Sequence, residues 1–374
     1  MKAYIKFGFV ITVVFCCNNN ALAQSNESIK WFLDSSMHKE GRAWPAEAAN
    51  GFDRLPGRSK ASVPSKVWEF SHNPAGEMIR FVTNAKKIII RYTVHEDLAM
   101  PHMPATGVSG VDLYAAGSNG QTYWLPGKFQ FKDTIEYVYD NIMEVADQMK
   151  SLTFQLYLPL YNSPKWLSIG VPEKSGFDIL PARKKPIVVY GTSIVQGGCS
   201  SRPGLAWTAI LGRRLNMPVI NLGFSGSGKM EAEVTDIINE IDGRLFILDC
   251  MPNLTRGYKY SDEEIEKRYT EGVKKIQTKH PGIPVLLAEH SGGYAANYLD
   301  VRRTSDYKQS SELVASIFDK LKKNGVKNIY LITAKEIGFD IESTVDGLHP
   351  NDIGMMKYAV AYEKHIRNIL GLNQ

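Results

Sequence analysis

Ile187-Val188-Val189-Tyr190-Gly191-Thr192-Ser193 is the stretch where the chain changes period. Four apolar residues follow one another without a polar break and then meet a glycine. A run this short, closed by a turn residue, reads as a strand buried on both faces. Downstream, similar runs recur at 219–222, 245–249, 285–288 and 329–332. Between and after them lie stretches with helical spacing at 205–215, 231–240, 262–278, 306–323 and 352–370. Strands alternating with helices imply a parallel sheet covered on both faces, with the working site beyond the carboxyl ends of the strands.

Upstream the pattern differs. From about residue 67 to 171 the apolar runs are short and strand-like. Ile88-Ile89-Ile90-Arg91-Tyr92-Thr93-Val94 is rich in β-branched residues, and Thr134-Ile135-Glu136-Tyr137-Val138-Tyr139 follows. Leu152-Thr153-Phe154-Gln155-Leu156-Tyr157-Leu158 alternates. Turn chemistry such as Asn73-Pro74-Ala75-Gly76 and Leu125-Pro126-Gly127 separates them. This reads as an antiparallel β-sandwich, interrupted by one brief helix over 141–150. The polar, proline-flanked run Leu180-Pro181-Ala182-Arg183-Lys184-Lys185-Pro186 marks the joint. The expected division is a β-sandwich domain over 24–183 and an α/β domain over 184–374.

The first 23 residues read as a signal peptide. Lys2 and Lys6 precede an apolar run over 7–17, and Ala21-Leu22-Ala23 offers a small-x-small cleavage site before Gln24. Phe15 before Cys16 speaks against lipid attachment, which wants a small residue there. The expectation is an exported, periplasmic or extracellular protein without a membrane span, the run being too short to cross a bilayer. The formal charge of +5 comes without a long basic run, so nothing points to nucleic acid. Beyond the leader two cysteines remain, Cys199 and Cys250. In an oxidising compartment they either bridge, for about 4 kcal/mol on the chain-entropy model, or stay as buried thiols.

Four strand ends carry chemistry. After the first comes Ser193, behind a glycine that permits a tight turn. After the second comes Asn221-Leu222-Gly223-Phe224-Ser225-Gly226, whose last glycine exposes a backbone N–H. After the third comes Met251-Pro252-Asn253, whose carboxamide is a neutral donor. Before the last helix comes Asp346-Gly347-Leu348-His349-Pro350, with an aspartate and a histidine close enough to hydrogen-bond. A hydroxyl, a base with its orienting carboxylate, and donors for a developing negative charge are the parts an acyl-transfer site requires. The Gly-x-Ser-x-Gly elbow is not matched, because Val195 stands at the second glycine position.

In order and spacing these blocks resemble the SGNH/GDSL hydrolases: Gly191-Thr192-Ser193-Ile194, Gly226, Asn253 and Asp346-x-x-His349. Gly110-Val111-Asp112-Leu113-Tyr114 resembles the GxDLY signature of a β-domain that precedes such esterases in one subgroup. The resemblance implies a three-layer, flavodoxin-like hydrolase domain with Ser193 as nucleophile, His349 as base and Asp346 orienting it. It further implies an oxyanion hole from the N–H groups of Ser193 and Gly226 with the Asn253 side chain. Thr192 departs from the pattern, standing where an acidic residue usually precedes the serine, and Leu254 replaces the acid that often follows the asparagine. The implied activity is ester hydrolysis through an acyl-serine. An acetylated glycan is the expected substrate, lipid or small esters the alternative, and no cofactor or metal is expected.

Other residues admit two readings. Glu289, His290 and Arg202 either line the substrate pocket or serve locally, as loop polar groups or helix braces. Trp207 and Phe224 are core residues or a stacking surface. Gly223-Phe224-Ser225-Gly226-Ser227-Gly228-Lys229 resembles a nucleotide-binding P-loop, but Met230 replaces the metal-holding Ser or Thr. A further rival is a glycan-binding protein with an inactive esterase domain; possession of all four polar parts speaks against it.

Overall fold

The structure, a computed structural model, describes residues 28–117, 120–142, 152–293 and 298–372. The expected leader at 1–23 lies outside the described residues, as does nearly all of the helix expected over 141–150. Asn141 and Ile142 are irregular.

The N-terminal half supplies β1 (Ile29–Leu33), β2 (Lys39–Glu40), β3 (Met78–Thr83), β4 (Ile88–Val94), β5 (Asp112–Ala116) and β6 (Thr122–Leu125). It continues with β7 (Lys128–Gln130), β8 (Ile135–Tyr139), β9 (Thr153–Tyr157), β10 (Pro164–Pro172) and β11 (Phe177–Ile179). They form two antiparallel sheets, in orders β1-β10-β4-β8-β7 and β11-β3-β9-β5-β6, with β2 on β3. Period-two alternation builds the core between them. Ile88, Ile90 and Tyr92 of β4 point inward beside Ile135, Tyr137 and Tyr139 of β8. Phe81 and Phe154 stack at 5.3 Å on paired strands. Val67, expected at the start of the strand-like region, instead belongs to the short helix α1 (Ser65–Ser71), and a single turn, α2 (Ala105–Val108), precedes β5.

The C-terminal half is a parallel sheet of β12 (Ile187–Gly191), β13 (Val219–Gly223), β14 (Leu245–Asp249), β15 (Val285–Ala288) and β16 (Ile329–Ile332). Its order, β13-β12-β14-β15-β16, is the flavodoxin-like one, whose switch point lies where β12 meets β14. Ser193 opens α3 (Ser193–Gln196) directly above that point. The remaining helices are α4 (Trp207–Leu215), α5 (Ala232–Ile238), α6 (Asp262–Lys279), α7 (Val301–Lys323), α8 (Ala334–Ile337) and α9 (Asp352–Leu370).

Side chains alternate across the sheet. Val188, Tyr190, Phe246 and Leu248 pack with α5, α6 and α7. Ile187, Val189, Leu245 and Ile247 pack with α4 and α9. Trp207 is a core residue, fully buried and stacked on Tyr362 at 4.4 Å. Helix α7 starts five residues before its expected position, because Asp300 caps it by accepting from the Arg303 N–H at 3.0 Å.

The two halves interlock. Trp44, Leu55, Val63 and Val67 are buried in the same apolar cluster as Val188 and Tyr190, so packing crosses the sequence joint. Strand β13 is an edge strand, and edge carbonyls need cover. Arg54 provides it: its guanidinium donates to the Asn221 carbonyl at 3.0 Å and the Gly223 carbonyl at 2.7 Å, and lies 4.8 Å over the Phe224 ring. It also donates to the carbonyls of Asn73 and Phe70. Burial lowers its pKa to about 10, against the raising influence of Glu77.

The second clamp is the Gly110–Tyr114 motif. Asp112 accepts from Arg202 at 2.5 Å, from the Gly204 N–H at 3.1 Å and from the Trp124 indole at 2.7 Å. Arg202 also donates to the Tyr114 hydroxyl at 2.6 Å and stacks 4.3 Å over Trp124. Gly204 must be glycine, since a methyl there would collide with the Tyr114 ring and the Asp112 carboxylate. The motif is a docking device between the halves.

Candidate active site

The turn after β12 is built for close packing. A methyl on Gly191 would strike the Asp249 carbonyl of the neighbouring strand. Thr192 then caps α3, its hydroxyl accepting from the Ile194 N–H at 3.3 Å. That local role accounts for the hydroxyl where an acid was expected.

Ser193 Oγ lies 2.8 Å from His349 Nε2, and His349 Nδ1 lies 2.7 Å from Asp346 Oδ2. With the Nδ1–H donated to the carboxylate, Nε2 is left as the acceptor for the serine hydroxyl. The other Asp346 oxygen accepts from the backbone N–H groups of His349 at 2.8 Å and Leu348 at 3.0 Å. Partial burial raises the Asp346 pKa, but the ring and backbone donors outweigh it and hold the carboxyl well below the usual range. It is therefore ionised throughout the neutral range.

The turn carrying this pair is tied down locally. Thr344 Oγ1 accepts from the Gly347 N–H at 2.8 Å and donates to the His349 carbonyl at 3.0 Å. Arg303, from α7, donates to the Asp346 carbonyl at 2.8 Å. Gly347 takes a left-handed φ of 85°. The nucleophile loop is zipped to the same turn: the Cys199 N–H donates to the Pro350 carbonyl at 2.8 Å, and Ser201 donates twice to Asp352. Tyr161, from the β-sandwich half, donates to the Ser193 carbonyl at 3.2 Å.

On the opposite side the Gly226 loop is set by buried polar contacts. Gln196 Oε1 accepts from the Ser225 N–H at 2.9 Å, while its Nε2 donates to Asn73 and to the Leu160 carbonyl. Asn253 donates one carboxamide N–H to the Ser227 carbonyl at 2.7 Å, leaving its second N–H. Among the described residues the N–H groups of Ser193 and Gly226 have no hydrogen-bond partner. Gly226 has φ +65°.

The remaining expected site residues have partners of their own. Arg202 Nη1 donates to Asp112 and Tyr114. Glu289 accepts from the Ala334 N–H at 2.8 Å at the start of α8, and burial raises its pKa. His290 is buried, stacked on Tyr307 at 3.9 Å, with Nδ1 accepting from the Gly292 N–H. Desolvation pushes it down to about 3, so it is neutral. The phosphate-loop reading fails on the same grounds: the amides of Ser225 and Lys229 are taken by Gln196 and Glu231, and α5 begins only at Ala232. Cys199 and Cys250 are both free thiols, correcting the possible bridge. Cys199 packs at the junction of the two halves and Cys250 in the cluster on one face of the parallel sheet.

Sequence reasoning missed four contributors: Arg303, Thr344, Gln196 and His102. The His102 ring, from the β-sandwich half, lies 5.7 Å from that of His349. Gln196 and Thr344 stand beside the site motifs in sequence, and the turn-forming hydroxyl of Thr344 was an available signal; Arg303 and His102 are far from them.

Residues 184–367 match a family model described as the GDSL-like lipase/acylhydrolase family, and residues 29–177 match one described as the N-terminus of an SGNH-hydrolase-type esterase. A putative GDSL-like lipase from Bacteroides ovatus is 32% identical; the match covers 92% of this chain and 99% of that one, with a TM-score of 0.80. The salicylyl-acyltransferase SsfX3 from a tetracycline biosynthetic pathway is 16% identical, with 92% and 98% covered and a TM-score of 0.70. A family two carbohydrate esterase from Cellvibrio japonicus is 13% identical, with 92% and 99% covered and a TM-score of 0.51. The last two show a shared fold. No curated protein matches the chain.

Proposed function

Because the chain belongs to the GDSL-like lipase/acylhydrolase family and is an ester hydrolase of that SGNH type, we propose that Ser193, His349 and Asp346 carry its chemistry on a small acyl ester of a carbohydrate. The observation that carries this reading is the unbroken chain of hydrogen bonds from Ser193 Oγ through His349 to Asp346.

In the proposed mechanism His349 Nε2 takes the Ser193 proton as Oγ attacks the ester carbonyl. The negative charge forming on the carbonyl oxygen is met by the N–H groups of Ser193 and Gly226 and by the second N–H of Asn253. The imidazolium is steadied by ionised Asp346 and returns its proton to the departing alcohol. Water, activated by the same base, then releases the acid from the acyl-serine.

A cleft of about 550 Å³ touches Gly226 and is lined by Lys66, Lys229, Glu231, Tyr260, Glu264 and Arg268, without Ser193, His349 or Asn253 among its walls. The carbohydrate reading is supported by the fold, which is that of a protein named as a carbohydrate esterase and makes acetylated glycans the first substrates to try. The Ala21-Leu22-Ala23 signal supports export, testable by whether the mature protein begins at Gln24. Acetate release from acetylated xylan, pectin and simple sugar acetates should be measured beside fatty-acyl esters. Cleavage confined to long-chain lipids would defeat the carbohydrate reading.

A further inference from the structure

We propose that His102, Cys199 and His349 form a site for a thiophilic divalent cation, Zn²⁺ foremost, whose binding withdraws His349 Nε2 from Ser193 and arrests turnover. One ring nitrogen of each histidine and the cysteine sulfur lie within 4.8 Å of one another. Zinc–ligand bonds of about 2.0 to 2.3 Å place tetrahedral ligand atoms roughly 3.3 to 3.8 Å apart. Side-chain movement of about an ångström therefore closes the site. Two imidazoles and a thiolate suit Zn²⁺, and a fourth position stays open to water on the exposed side of His102.

Three separate elements deliver the donors, and each is anchored. His102 stands at the tip of a tight hairpin in which Met100 and Met103 exchange both N–H···O bonds at 3.0 Å. Met103 is buried in the same apolar cluster as Cys199. Thr106 donates to the Ser201 carbonyl at 2.6 Å, docking this segment onto the nucleophile loop. His349 is already arranged as metal-bound histidines usually are, with its far nitrogen donating to a carboxylate. Cys199 carries its proton when no cation is present, since burial and the Asp346 charge push the thiol up to about 12. On coordination the thiol proton passes to solvent, Nε2 gives its lone pair to the metal, and the Ser193 hydroxyl loses its acceptor. Arrest of turnover rests on the hydrolase reading; binding of the metal does not.

The test uses the full chain and Zn²⁺ or Co²⁺ alone. Micromolar Zn²⁺ should inhibit, and a chelator should restore activity. His102→Ala and Cys199→Ser should each raise the half-inhibiting concentration by about tenfold or more. Co²⁺ should give a thiolate-to-metal absorption band in the near ultraviolet that Cys199→Ser abolishes. Ser193→Ala, which frees Nε2, should bind Co²⁺ at least as tightly as the wild type. Unchanged inhibition in both ligand variants, or no thiolate band in wild type and Ser193→Ala, would overturn the site. The band is read without any ester, so it separates failure of the metal site from failure of the hydrolase reading.

Discussion

Two polar clusters hang on one loop, nine residues apart, and they behave in opposite ways. At Ser193 the hydroxyl meets an imidazole, and the adjoining N–H groups of Ser193 and Gly226 are left without partners among the described residues. At Arg202 the guanidinium is committed to the Asp112 carboxylate, the Tyr114 hydroxyl and the Trp124 face, and Asp112 in turn accepts three hydrogen bonds. The first cluster keeps backbone donors unspent, as a site must if it is to stabilise charge that appears only during reaction. The second spends the Asp112 carboxylate and Arg202 Nη1 on groups of the protein itself, across the two halves. What separates the two is what their polar groups bond, since both are polar and both join distant segments: one links a hydroxyl to a base, the other links two parts of the protein to each other.

The sharpest way to break this contrast is Ser193→Ala or His349→Ala. Each should lower kcat/KM on a chromogenic acetate ester by roughly 10⁴ to 10⁶-fold while the thermal midpoint stays near the wild type. Asp346→Asn should follow at roughly 10³ to 10⁴-fold, because an amide no longer stabilises the imidazolium and favours the wrong tautomer. An equal loss from Asp112→Ala, counted per folded molecule, would erase the distinction between the clusters. The expectation is instead a change in stability. Asp112 is buried and Arg202 largely so, and stranding the guanidinium should cost about 3 kcal/mol in denaturant unfolding, with activity of the folded fraction within about tenfold of wild type.

A smaller effect belongs to Asp249, which lies at the end of β14 beside Gly191 and plays no part in the proposed chemistry. Burial raises its pKa to about 7, against the hydrogen bond donated by Tyr362 at 2.9 Å. The folded state thus keeps a proton that the unfolded chain releases near pH 4. Native protein binds more protons between those values, so stability falls as pH rises from about 4 to 7 and then levels off. Asp249→Asn should flatten that slope, gaining on the order of 2 kcal/mol over the wild type at pH 8 relative to pH 4. Parallel stability curves for the two proteins across that range would show that Asp249 is already ionised when folded.

Local pattern carried the sequence reading a long way in the parallel-sheet half. Residues 245–249, 285–288 and 329–332 are strands as expected, and 352–370 is a helix capped by Asn351. These elements are buried on both faces or on a broad apolar stripe, so periodicity alone announces them. The start of α7 was misplaced because its cap, Asp300, precedes a first turn whose one apolar residue, Val301, is exposed and begins no apolar spacing. The helix over Ser65–Ser71 escaped notice because its seven residues, with Val67 and Ser71 buried on one face, are too few for a helical period to show.

By itself, then, the order of residues determined the strand and helix types, the two-part architecture, and the blocks holding Ser193, Gly226, Asn253, Asp346 and His349. Only the tertiary structure decided that Arg202 braces the β-sandwich half, that Arg54 seals the edge of β13, that both cysteines stay reduced, and that His102 stands beside His349. The reason is physical. Secondary structure follows from contacts a few residues away, whereas the partner that spends a polar group's hydrogen bonds here comes from tens to hundreds of residues distant and is fixed only once the apolar faces have packed.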